Sequence, residues 1–68
     1  MSIFSKRIKE LRKESNFTQQ ELAEKLELTN STVSDWETGR SEPDLETLTK
    51  LAKLFSVTTD YLLGLSEI

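Results

Sequence analysis

Apolar residues recur at helical spacing along almost the whole chain, and polar punctuation breaks the recurrence into five short stretches. Phe4, Ile8 and Leu11 make the first stripe. Leu22, Ala23 and Leu26 make the second, and Val33 and Trp36 the third. Leu45, Leu48, Leu51, Ala52 and Phe55 make the fourth, and Leu62 and Leu63 belong to the last. Spacings of three and four residues put such side chains on one face of an α-helix. No segment alternates with the period of two that a strand requires, and no internal repeat or low-complexity linker interrupts the pattern. The chain is therefore limited to a bundle of short helices.

The punctuation predicts where each helix begins and ends. Ser2 can cap the first helix, and Asn16 suits the left-handed residue that closes it. Thr18-Gln19-Gln20-Glu21 has the form of a capping box, in which the Thr18 hydroxyl accepts from the Glu21 N–H and the Glu21 carboxylate reaches back. Phe17 and Leu22 occupy the positions of a hydrophobic staple. Thr29 can cap the third helix and Gly39 end it. Asp44, just after Pro43, can cap the fourth. Thr58 can cap the fifth, with Asp60 favourable in its first turn, and Gly64 can end it.

Sixty-eight residues form one domain, residues 1–68, with room for a single small core. Hydrophobic residues at 35% and charged residues at 31% describe a globular rather than a disordered chain. There is no cysteine and no histidine, so a disulfide framework or a zinc site is not expected, and no metal or cofactor is predicted. Without a histidine base, a cysteine nucleophile or a glycine-rich phosphate loop, the chain offers no enzyme reading and no small-molecule substrate. No apolar stretch reaches the roughly 20 residues of a membrane span. Met1-Ser2-Ile3-Phe4 runs straight into charged residues rather than a signal-peptide core. The expected location is cytoplasmic.

The stretch from Gln19 to Trp36 points to a function. Two helices of about two turns are separated by Glu27-Leu28. Leu22, Ala23, Leu26, Leu28, Val33 and Trp36 are apolar and the residues between them are polar. The small Ala23 lets the two helices approach closely. With Val33 and Trp36 turned to the core, Asn30, Ser31, Ser34 and Asp35 fall on the outer side of the second helix. That is the arrangement by which a helix-turn-helix places side chains in a major groove.

Here the sequence resembles the Cro/CI-type (XRE) helix-turn-helix family of phage repressors and related bacterial regulators. The resemblance runs from about Ile8 to Gly64 and rests on IKELRKESNFTQQELAEKL, LTNSTVSDWETGR and PDLETLTKLAKLFSVTTDYLLG. It implies an all-α, compact five-helix, lambda-repressor-like domain whose helices 2 and 3 form the helix-turn-helix motif, residues 19–38. By position it implies base contacts from Asn30, Ser31 and Asp35. Asn can pair bidentately with adenine, Ser can contact several bases, and Asp can accept from a cytosine amino group. It implies backbone contacts from Gln19 and Arg40, with Thr18 and Ser34 completing that set. It also implies an internal ion pair between Arg12 and Glu37, structural rather than catalytic. The chain departs from the family at Glu27, where the turn usually carries glycine. Either the left-handed turn is kept under a strain of roughly 1–2 kcal/mol, or its geometry changes.

The function this implies is sequence-specific binding of double-stranded DNA by a transcriptional regulator, expected to be a repressor bound to a palindromic operator as a homodimer. Leu54, Tyr61, Leu65 and Ile68 are candidates for the dimer surface. Many relatives continue into a further domain beyond the position of Gly64, so the chain is either a complete small regulator or the N-terminal domain of a larger one. Charge argues the other way on DNA. The net charge is −3. Its distribution softens this: residues 1–20 hold Lys6, Arg7, Lys9, Arg12 and Lys13 against Glu10 and Glu14, whereas residues 21–46 hold Lys25 and Arg40 against eight acids. Local basic groups, not the total, govern phosphate affinity. The acidic middle supports an alternative, a protein-interaction module such as an antitoxin or anti-regulator on the same fold.

Overall fold

The computed structural model describes residues 2–68. Five helices follow one another: α1 (Ile3–Glu14), α2 (Gln19–Lys25), α3 (Asn30–Thr38), α4 (Leu45–Phe55) and α5 (Thr59–Leu63). Each starts at a residue with extended backbone whose side-chain oxygen accepts the N–H three positions on. These residues are Ser2, Thr18, Thr29, Asp44 and Thr58. Helices of five to twelve residues are marginal in isolation, so these caps and the shared core stabilise them together. The capping box of α2 is complete. Thr18 Oγ1 accepts from the Glu21 N–H at 3.0 Å, and Glu21 Oε1 accepts from the Thr18 N–H at 2.8 Å.

The helices end on left-handed residues. Gly39 (φ 82°) ends α3 and Gly64 (φ 83°) ends α5. At Gly64 a side chain is excluded twice, because a Cβ would lie 2.9 Å from two carbons of Ile3. Asn16 (φ 60°) follows α1, Glu27 (φ 59°) follows α2 and Ser56 (φ 55°) closes α4. The last of these carries no sequence signal, since serine does not favour the left-handed region.

Ile8, Leu22, Val33, Trp36, Leu51 and Leu62 form the fully buried centre of the core, one or two from each helix. Phe4 meets Trp36 edge-on, with ring centroids 6.3 Å apart, and so joins α1 to α3. Leu11, Phe55 and Val57 pack around the rim. Two members of the apolar stripes lie outside this core. Leu45, at the first position of α4, is 82% exposed, and Leu63 is about half exposed. Leu45 precedes the first full turn of its helix, where no other element covers it. Leu63 lies a rotation of about 100° from the buried Leu62. The Phe17 ring, placed for a staple, lies 6.3 Å from the Phe55 ring, with Lys25 Nζ 4.8 Å from its centroid.

The C-terminal segment is tied back to α1. Arg7 Nη1 donates to the carbonyls of Tyr61 and, at 2.7 Å, Ser66. Its guanidinium lies 4.2 Å over the Tyr61 ring, and Nη2 is 3.6 Å from Glu67. Among the described residues, no helix is long and apolar enough to cross a membrane.

Candidate nucleic-acid interface

The turn between α2 and α3 closes on the backbone of Ala23. The Leu26 N–H donates to its carbonyl at 3.1 Å and the Leu28 N–H at 2.8 Å, with Glu27 left-handed between them. The turn therefore keeps the conformation for which glycine is usual, and Glu27 carries the strain. Ala23 itself is buried.

α3 presents its first turn to solvent. Asn30 and Ser31 are exposed, and the Asn30 carboxamide makes no hydrogen bond to another described residue. The Ser31 hydroxyl lies 3.1 Å from Thr29 Oγ1, which in turn lies 2.9 Å from Thr32 Oγ1. This chain of three hydroxyls is centred on the cap residue, Thr29. Ser34 and Asp35 are half-buried rather than fully outward. The Asp35 carbonyl seats the following loop, accepting from the Arg40 N–H at 2.9 Å, while its carboxylate is unpaired among the described residues. Arg40 is exposed just beyond Gly39.

On α2, Thr18 is exposed. Its hydroxyl oxygen is engaged in the capping box, which leaves the hydroxyl proton free to donate. Gln19 is half-buried and its Nε2 donates to Glu37 Oε1 at 3.1 Å. Arg12 and Glu37 meet in a two-pronged pair, Nε to Oε2 at 2.6 Å and Nη2 to Oε1 at 3.1 Å. Arg12 Nη1 also donates to the Phe17 carbonyl at 2.8 Å. The four residues thus bind α1, the entry to α2 and the end of α3 into one knot. The Gln19–Glu37 link and the Thr29–Ser31–Thr32 chain are absent from the sequence reading. The hydroxyl chain could have been found from three hydroxyl residues within four positions at a helix start. The Gln19–Glu37 link spans 18 positions and leaves no periodic trace.

The basic run of α1 is divided by the fold. Arg7 and Arg12 turn inward, with 14% and 11% of their side chains exposed, whereas Lys6, Lys9 and Lys13 stay outside. Of the dimer-surface candidates, Leu65 and Ile68 are well exposed and Leu54 moderately so. Tyr61 is not an open surface, because the Arg7 guanidinium covers its ring.

A five-helix domain with an exposed first turn on α3, held beside the capped start of α2, defines a helix-turn-helix protein. The sequence profile of the helix-turn-helix family matches residues 8–62, and the chain belongs to that family, in its Cro/CI-type form. It is 48% identical over 63 residues to the HTH-type transcriptional regulator ImmR of Bacillus subtilis (strain 168), covering 93% of this chain and 50% of ImmR. It is 40% identical over 65 residues to the HTH-type transcriptional activator BcrR of Enterococcus faecalis, covering 96% of this chain and 32% of BcrR. The chain thus spans half or less of the length of these curated relatives. Among solved structures it matches the P22 c2 repressor in complex with a synthetic operator. The TM-score is 0.87 at 30% identity, covering 97% of this chain and all of that one. The all-α, lambda-repressor-like fold expected from the resemblance is the one observed.

Proposed function

We propose that this chain is the DNA-binding domain of a sequence-specific transcriptional regulator, which represses by occupying a palindromic operator with α3 in the major groove. The observation that carries this reading is the exposed first turn of α3, Asn30 and Ser31, on a scaffold that matches the whole of a repressor chain solved with operator DNA. Asn30, with its carboxamide free, pairs with adenine. Ser31 contacts an adjacent base, and Asp35 accepts from a cytosine amino group. Thr18, Gln19, Ser34 and Arg40 touch phosphate, and the Arg12–Glu37 pair is structural.

One small module makes few base contacts, so two copies on half-sites about one helical turn apart supply the affinity. Leu54, Leu65 and Ile68 are the surface offered for that pairing. The domain itself performs no catalysis, and it acts where the DNA is, at the nucleoid in the cytoplasm.

Selection of duplexes from a random pool tests the reading. A recovered palindromic site, bound with an affinity that falls as salt rises, is expected. Asn30→Ala should flatten preference at one base position, a discrimination of about 1–3 kcal/mol. Arg40→Ala should weaken all sequences alike. A protein partner that co-purifies, with no salt-sensitive DNA binding, would instead support the interaction-module reading.

A further inference from the structure

Glu37 is nearly fully buried at the end of α3 and accepts three donors. Arg12 Nε reaches Oε2 at 2.6 Å, and Arg12 Nη2 and Gln19 Nε2 both reach Oε1 at 3.1 Å. A carboxylate can only accept, so only the amino end of the Gln19 amide can face it. The chemistry of Glu37 thus decides which way round the Gln19 carboxamide sits. One Nε2 proton is spent on Glu37 and one remains, on a side chain that is still half exposed at the first position of α2.

A DNA phosphate is also acceptor-only. The one amide end able to serve both Glu37 and a phosphate is the amino group, one proton to each. A carboxylate this close would ordinarily repel a phosphate, but here Arg12 neutralises it through two hydrogen bonds.

We infer that Glu37 is a positioning residue for DNA binding: it locks the Gln19 amide with its amino end presented, so that the second Nε2 proton is delivered to a backbone phosphate, and Arg12 cancels the charge that would oppose it. This rests on the DNA-binding reading above and adds to it a specific dependence. A glutamine at position 37 has the same shape but both a donor and an acceptor. It lets the Gln19 amide turn over and offer its carbonyl to the phosphate.

A double-mutant cycle tests this. Gln19→Ala, Glu37→Gln and the double variant are titrated against the duplex that the wild-type protein selects from a random pool, with thermal melts of each. Gln19→Ala should weaken binding about tenfold on all duplexes, and Glu37→Gln about three- to tenfold. The double variant should bind within about twofold of Gln19→Ala, because the effect of Glu37 passes through Gln19. Losses that multiply overturn the inference. So does Gln19→Ala binding as wild type while Asn30→Ala still flattens base preference, which leaves the DNA-binding reading intact. A wild-type protein with no salt-sensitive DNA binding removes both.

Should Glu37→Gln fail to fold, the side-chain amide of Gln19 in the free wild-type protein decides by NMR. One Nε2 proton shifted from its free-amide position and slow to exchange, with the other unprotected, is expected. A pair at free-amide positions with equal exchange overturns the inference.

Discussion

Replacing Glu27 by glycine should stabilise the protein, although it deletes a side chain from the middle of the recognition motif. Glu27 sits at φ 59°. A left-handed residue with a Cβ costs about 1–2 kcal/mol, and glycine removes that cost. Glycine also gives the unfolded chain more freedom, which takes back about 0.5–1 kcal/mol. Little else is lost. The Glu27 side chain is exposed and makes no hydrogen bond among the described residues, and its N–H keeps the Glu24 carbonyl at 3.1 Å. The net gain is about 0.5–1 kcal/mol, or about 3–6 °C in Tm for a domain this small. Glu27→Ala isolates the cause, because it removes the same negative charge from an acidic region but keeps the Cβ. Melts of both variants at about 0.5 M salt, where surface charge is screened, should place Gly above Ala by nearly the full gain. If Gly and Ala melt together, relief at 27 does no more than offset the added freedom of the unfolded chain, and the predicted gain is refuted. Ser56, at φ 55°, should respond to glycine in the same way, and Asn16 less, because asparagine tolerates the left-handed region.

Two further perturbations follow from the caps and the ion pair. Arg12→Leu strands the buried Glu37 carboxylate and should cost about 3–5 kcal/mol by urea unfolding, whereas Arg12→Leu with Glu37→Leu should recover much of it; a loss below about 1 kcal/mol would mean the pair is already solvated. The Asp44 carboxyl is held below its ordinary value of 3.8 by hydrogen bonds from the Thr47 side chain and backbone. Its stabilising effect is therefore complete above 3.8 and lost as pH falls through the lower folded value. The difference in melting between wild type and Asp44→Ala should be constant at neutral pH and close in acid, and a gap unchanged in strong acid would refute the cap.

Helix starts were legible in the sequence because a cap is a local contract between a side chain and an N–H three residues on. Thr18 and Glu21 announce their box without knowledge of anything distant. Ends were less legible. Gly39 and Gly64 declare themselves, but Ser56 takes up a left-handed conformation with no glycine to announce it, as the Val57 N–H turns back to the Ala52 carbonyl at 2.9 Å. Periodicity identified the core stripes yet could not tell that Leu45 has no neighbour, since an apolar residue at a helix end looks the same covered or bare. The exposed face of α3 was likewise readable from the burial of Val33 and Trp36. What escaped were contacts set by the angles between helices: Gln19 on Glu37, and Arg7 on the carbonyls of Tyr61 and Ser66.

Those hidden contacts redistribute the charge that the fold leaves at its surface. Read along the chain, residues 1–20 form a basic segment facing an acidic middle. In the fold, two of its five cations, Arg7 and Arg12, serve carbonyls and carboxylates of the protein itself. Outside remain Lys6, Lys9 and Lys13, opposed by the exposed Glu10 and Glu14 and by Glu21, Glu24 and Glu27 on α2 and its turn. On the proposed reading, few cations are left to displace counterions, and each phosphate neutralised contributes only about −0.9 to the salt slope. Attraction to arbitrary DNA is then weak. Affinity for the right site must come from neutral donors held in fixed geometry: the Thr18 hydroxyl, the Gln19 amide, Asn30 and Ser31. Neutral hydrogen bonds depend on register in a way that point charges do not. On that reading, a domain that lacks a strong field and spends its arginines on its own frame gains selectivity by forgoing non-specific hold, and the proposed second copy on the other half-site would make up the affinity.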